Sequence, residues 1–405
     1  MESRATLPVC GFCEYPEPSE PVSGIILGML FFRAASSVLL ASAFVAGQSV
    51  NLSSLEASAN EELNATRTPG AAIGIVEGGR LTYTHGFGTS NIETGAPVTP
   101  EMLFRLGSTT KMFTATAVAT LVAEGKIDFQ DSAGKCIPGL DPAIAALTVN
   151  QILSHTSGLK DTAVMNGRHD DSALGEEIRT WKADWLFTKP GVIYSYANPG
   201  FWLAGYVAES VAGKPYAVMM EEIVFAPVGM TSSTLRPTMA MTRAFSQGHD
   251  IVKEKVEVLR PAPDNAANWP AGSLFSNLTD LSRFAIAMMG GGQIDGKQVV
   301  SPKVVTALTT PRADIPGSKA KYGYGLEFRR GRRDARVESW RVPSGVWFVH
   351  CDVAGAACGG DRAVQSNGRK FAEDARESHG DARRAAAGAH QCGGKYNPGG
   401  RVRQI

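Results

Sequence analysis

Cysteine is nearly missing from the middle of this 405-residue chain. Of six, Cys10 and Cys13 lie near one end, Cys351, Cys358 and Cys392 near the other, and Cys136 alone stands between them. A disulfide framework for that middle stretch is thereby excluded. Cys10-Gly11-Phe12-Cys13 has the spacing of a redox or metal half-site, yet no second pair and no βαβ context accompanies it. None of the seven histidines falls in a His-Glu-x-x-His pattern, so neither a metal centre nor a cofactor is expected. An excess of one charge is also lacking: the formal net charge is +1, which gives no electrostatic case for nucleic acid or an acidic partner. There is no Gly-x-Ser-x-Gly elbow, so the α/β-hydrolase route to a serine nucleophile is not used. What remains is a 43% hydrophobic, globular composition long enough to bury a large core.

Long apolar runs are scarce as well. The one from Ala34 to Val45 follows Phe31-Phe32-Arg33 and is short for a membrane span. With Ala41-Ser42-Ala43 and Val45-Ala46-Gly47 as small-residue cleavage sites, residues 29–47 read as a signal peptide beginning at Met29. Residues 1–28 are then a mis-assigned extension. The mature protein is expected in the periplasm or outside the cell, with no stable membrane span once the signal is cleaved.

Ser108-Thr109-Thr110-Lys111 is the most informative run present. It sets a hydroxyl and an amine three residues apart at the start of an apolar segment, and so on one face of a helix. Serine needs a nearby base to become a nucleophile. Burial and the positive end of a helix both disfavour a charged lysine, which would make Lys111 such a base. A solvated helix face gives the same spacing by chance, but downstream residues argue against that. Tyr196-Ala197-Asn198 offers a phenol to relay the proton and an amide to hold a substrate carbonyl, between the turn Lys189-Pro190-Gly191 and an apolar helical run from Phe201 to Ala208. Leu153-Ser154-His155-Thr156-Ser157-Gly158-Leu159 and Ala271-Gly272-Ser273-Leu274-Phe275-Ser276 flank the pair in chain order. His155 beside two serines invites a serine–histidine reading, but neighbours in one loop rarely meet productively, so it is read as structural.

From about Ala71 to Phe328 these motifs resemble the serine β-lactamase and penicillin-binding-protein superfamily, nearest its class C β-lactamase, D-alanyl-peptidase and esterase branch. The resemblance implies that Ser108 is acylated and that Lys111 is its general base. It also implies that Tyr196 assists proton transfer to the leaving group and that Asn198 hydrogen-bonds substrate and Lys111. Members differ over whether the lysine or the tyrosine takes the first proton. The implied fold is α/β in the α+β sense: an antiparallel sheet covered by helices, with a helical region inserted before the last strands. Hydrophobic periodicity supplies the parts. It predicts a helix over 55–65, a hairpin of 71–76 and 81–87, and a helix from Ser108 closed by Gly125. Further helices are expected near 149–153, 201–211, 216–225 and 278–289, with a returning strand over 322–328. The hydrolase domain is thus bounded at 48–328.

The pattern breaks after that strand. The superfamily's third motif, Lys-Thr-Gly or His-x-Gly, would line the cleft and supply an oxyanion donor. Here the chain reads Arg329-Arg330-Gly331-Arg332-Arg333-Asp334-Ala335-Arg336, and beyond Leu326 it has no further Leu, Met or Thr. No core strand is expected from such a composition. One reading of 329–405 is a disordered basic tail. The other is translation out of frame: the codons for Val337-Glu338-Ser339-Trp340-Arg341, read one nucleotide later, can spell Trp-Ser-His-Gly-Gly, and those for Gly345-Val346-Trp347-Phe348 can spell Gly-Phe-Gly-Ser. The expected activity is a serine hydrolase acting on a small-molecule or peptide ester, amide or β-lactam. The alternatives are a product impaired or only ligand-binding for want of the third motif, and a true class C-like β-lactamase. Oligomeric state is not legible.

Overall fold

The computed structural model describes residues 52–328 other than Ala163, together with the backbone of 329–330, Val337–Glu338 and Trp347–Asp352. The expected extension 1–28, the signal segment 29–47 and most of the 329–405 tail lie outside the described residues.

Helix α1 (Leu52–Thr66) leads into strands β1 (Gly70–Glu77) and β2 (Arg80–Asn91), the hairpin expected around Gly78 and Gly79. Strand side chains alternate between faces. Ala71, Ile73 and Ile75 pack on Leu55, Ala59 and Leu63 of α1, while Ala72 and Val76 join the main core with Leu278 and Leu281. A strand buried on both sides needs an unbroken apolar run, and 71–76 supplies it. The second layer is helical: α2 (Thr110–Ala123), α3 (Val149–Leu153), α4 (Asn198–Ala212) and α5 (Leu278–Met289), all close to their expected bounds. Residues 216–225 are also helical, as an α turn over Tyr216–Met220 continued by a π turn over Glu221–Phe225.

Beyond Leu326 the structure departs from expectation twice. The single strand predicted over 322–328 is a hairpin: Lys321–Tyr322 pairs with the start of β3 (Glu327–Arg330), in the register Lys321 with Phe328 and Tyr322 with Glu327. Its turn is forced by close packing. Gly325 has φ +76°, and a Cβ there would fall 2.6 Å from Met112 Cα, so the chain must reverse against the backbone of α2. The second departure is that backbone strands do exist in the Arg/Gly/Ala-rich stretch. β4 (Val337–Glu338) pairs with β3, and β5 (Trp347–Asp352) pairs antiparallel with β1, Val76 opposite Trp347 and Ala71 opposite Asp352. Overall composition masks a local aromatic and β-branched run, Trp347-Phe348-Val349, whose β-propensity is high. The sheet order is β5-β1-β2, extended by Ala96–Pro97. Among the described residues no helix is long and apolar enough to cross a membrane.

One half-buried carboxyl makes stability depend on pH. Glu209, near the end of α4, accepts the Tyr216 N–H at 2.8 Å. Burial pushes its carboxyl up to about 7, opposed by that hydrogen bond and reinforced by the Asp171 carboxylate. An acid whose folded value exceeds its unfolded value adds no penalty below about pH 4.5 and destabilises the fold progressively as pH climbs to 7. Glu209→Gln keeps the acceptor and does not titrate. It is expected to be about 1–2 kcal/mol more stable than wild type at pH 8, discounted for partial solvent exposure, and equal to it at pH 4. Urea midpoints at both pH values check this, and a gain that is the same at both would refute it.

Candidate active site

The nucleophile turn is built from three directions. Ser108 lies in a 3-10 turn, Gly107–Thr109, at the mouth of α2, and Lys111 lies in the first turn of α2 itself. Segment 271–276 is tied behind them: Leu106 N–H donates to Leu274 O at 2.8 Å, Leu274 N–H to Thr110 Oγ1 at 3.1 Å, and Arg105 Nη2 to Ser273 Oγ at 2.7 Å. Arg105 Nη1 also donates to Pro263 O. From the far side, α4 begins at Asn198, immediately after Tyr196 and Ala197.

All four residues singled out by sequence meet here. Lys111 Nζ lies 2.9 Å from Ser108 Oγ, 2.7 Å from Asn198 Oδ1 and 2.9 Å from Ala271 O. Tyr196 OH donates to Ser108 Oγ at 2.7 Å. Lys111 is 1% exposed, and its Nζ sits 4.7 Å from the centre of the Tyr196 ring and 5.8 Å from that of Phe201.

The partners of Nζ constrain its chemistry. Asn198 Oδ1 and Ala271 O can only accept, so two of its three free tetrahedral positions carry N–H bonds in either protonation state. The third points at Ser108 Oγ. In the ammonium form it is a donor; in the amine form it is the lone pair that can take the serine proton.

Asp161 was not foreseen. Its Oδ1 accepts from the Asn198 backbone N–H at 3.0 Å and from Asn198 Nδ2 at 3.1 Å, so one carboxylate caps α4 and turns the amide so that Oδ1 faces Lys111. Its only sequence signal was its place two residues after the Leu153–Leu159 stretch. His155 forms no serine–histidine pair with its neighbours: Ser154 Oγ donates to Asn150 O at 2.7 Å, and His155 Nδ1 accepts from the Ala197 N–H at 3.2 Å. Among the described residues no cluster of three His, Cys, Asp or Glu side chains could hold a metal.

Comparison with known proteins adds to the geometry. The chain is 30% identical over 321 residues to a D-aminopeptidase of Gluconobacter oxydans, covering 71% of this chain and 57% of that protein, so it spans little more than half of that relative. It is 26% identical over 258 residues to penicillin-binding protein 4 of Amycolatopsis lactamdurans, covering 60% and 66%. Among solved structures, the octameric penicillin-binding protein homologue from Pyrococcus abyssi aligns with a TM-score of 0.61 and 26% identity, covering 69% of this chain and 65% of that one. The D-amino acid amidase from Ochrobactrum anthropi aligns at 0.67 with 21% identity, covering 82% and 99%, a likeness of fold alone. A family profile described as Beta-lactamase matches residues 55–355 and so takes in Ser108, Lys111, Tyr196 and Asn198; the chain belongs to that family.

Proposed function

We propose that this protein is a serine hydrolase that forms an acyl-enzyme at Ser108 and resolves it with water. The observation that carries the reading is the double contact of Ser108 Oγ, with Lys111 Nζ on one side and Tyr196 OH on the other. The lone pair of neutral Lys111 takes the serine proton as Oγ attacks a carbonyl carbon. Tyr196 delivers a proton to the departing amine or alkoxide and recovers it from Lys111. A water then follows the same path in reverse: its oxygen bonds to the acyl carbon as Tyr196 or Lys111 takes its proton, and that proton passes to Ser108 Oγ as the Oγ–carbon bond breaks and the free acid leaves. Asn198, its Oδ1 on Lys111, has an Nδ2 hydrogen beyond the one given to Asp161 with which to hold a substrate amide carbonyl.

The substrates are esters, amides or β-lactams. The name of the D-aminopeptidase relative favours the amide side over a dedicated β-lactamase, although one fold hosts several acyl transfers. The working location is the periplasm or the exterior, reached through the 29–47 signal. The stretch after β3 is either native or out of frame, and in the present sequence it lacks the third motif, which favours impaired turnover as the second reading.

A fluorescent penicillin and a fluorescent fluorophosphonate test the assignment. At least one is expected to label the wild type and neither to label Ser108→Ala. Failure of both on the wild type would favour the impaired product, and labelling that survives in Ser108→Ala would place the nucleophile elsewhere.

A further inference from the structure

His155 occupies a position that a histidine does not take cheaply. It follows Ser154, the C-cap of α3, with φ +57°, the left-handed conformation that helix ends usually assign to glycine or asparagine. Its ring is 1% exposed, and Nε2 is buried with no hydrogen-bond partner among the described residues. A strained backbone and an unmatched buried polar atom on one residue call for a compensating role.

That role lies in its contacts with the loop carrying Tyr196. The His155 carbonyl accepts the Ser195 N–H at 2.8 Å, and Nδ1 accepts the Ala197 N–H at 3.2 Å, so the residues on both sides of Tyr196 hang from one histidine. Its ring centroid lies 4.4 Å from that of Tyr196 at 37°, with Tyr322 at 4.7 Å, Phe201 at 5.2 Å and Tyr194 at 5.9 Å. Burial holds the imidazole well below its usual range, and Lys111 lowers it further whenever it is protonated, so the ring stays neutral and Nδ1 keeps its lone pair. Because that lone pair is committed to Ala197, and the proton by this hydrogen-bond assignment sits on Nε2, His155 has no free base for the Ser108 proton.

We propose that His155 is a positioning residue for Tyr196, holding the backbone on either side of the tyrosine and one face of its ring, and so setting the distance at which the phenol meets Ser108. The inference rests on the reading that Tyr196 moves protons at Ser108. Two substitutions divide its functions. His155→Phe keeps a ring and removes the acceptor; His155→Asn keeps an acceptor near the place of Nδ1 and tolerates positive φ, but removes the ring.

The measurements are the fluorophosphonate acylation rate at saturating probe, the half-saturating probe concentration, the thermal midpoint and a crystal structure of each full-length variant. His155→Phe is expected to slow acylation about 10- to 100-fold with the half-saturating concentration almost unchanged, since a misplacement of about 1 Å can cost that much. Its Tyr196 OH should sit more than about 3.5 Å from Ser108 Oγ, beyond hydrogen-bond range. His155→Asn should recover most of the rate and the contact. Wild-type rate and an unmoved Tyr196 in His155→Phe would overturn the proposal, as would rates in both variants that simply follow their thermal midpoints. If the wild type labelled with neither this probe nor the fluorescent penicillin, the hydrolase reading would fall, and the Tyr196–Ser108 separation in the crystals would still decide the positioning role.

Discussion

Lys111→Met is expected to lower the rate of Ser108 acylation by about 100- to 10,000-fold, the usual span for removal of a positioned base. Methionine fills nearly the same buried space, so the change tests chemistry more than packing. It also removes a buried polar group, which is often close to neutral for stability when the replacement packs well. The cost it does impose is two acceptors, Asn198 Oδ1 and Ala271 O, left without their Nζ donor. Near-UV circular dichroism and a thermal melt should therefore show a folded protein, modestly destabilised. Lys111→Arg is the sharper companion: it keeps the charge, but a guanidinium does not give up its proton, so it should be equally slow. Fluorophosphonate rate constants decide the matter. A Lys111→Met protein labelling within about threefold of wild type would remove lysine as the base, and Tyr196→Phe would then be expected to show the larger loss.

The second large effect lies in the gene. Resequencing across the codons for Leu326 to Phe348 is expected to reveal a one-nucleotide change that opens the Ser-His-Gly-Gly frame. A protein made from the restored frame should turn over about 100- to 1000-fold faster than the present chain, the value of one oxyanion donor. The comparison is made at saturating substrate, because such a donor acts on the tetrahedral intermediate more than on the bound ester or amide. Equal turnover of the two proteins, or independent reads that keep the present frame, would sink the idea and leave β3 to β5 as native strands.

Much of the site was legible because its chemistry is local. Ser108 and Lys111 are three residues apart on one turn, and Tyr196 and Asn198 enter together at the start of α4, so spacing and neighbours suffice to name them. Asp161 was missed because its importance comes from a contact across the fold, to Asn198, that no spacing encodes. The role of His155 was half read: its burial in a loop is inferable, but its two acceptors on the Tyr196 segment depend on a left-handed turn that sequence does not declare. In the fold, the 71–76 and 81–87 hairpin and the helices followed from periodicity. The hairpin around Gly325 did not, because it is imposed by the nearness of the α2 backbone, and β5 did not, because a six-residue strand can hide inside a stretch whose average composition opposes it.

The pairing of β1 with β5 has a consequence for how the chain acquires its form. β1 is laid down within the first hundred residues, yet one of its two edges finds its partner only at Trp347–Asp352. Contacts of such long sequence separation slow folding, since a long loop must close before they are rewarded. Until then β1 presents unpaired N–H and C=O groups along an apolar strand, the kind of edge onto which another chain can dock. A change of reading frame upstream of β5 thus alters more than a motif: it rewrites the segment that closes the sheet, and with it the interval during which a newly made molecule is open to aggregation.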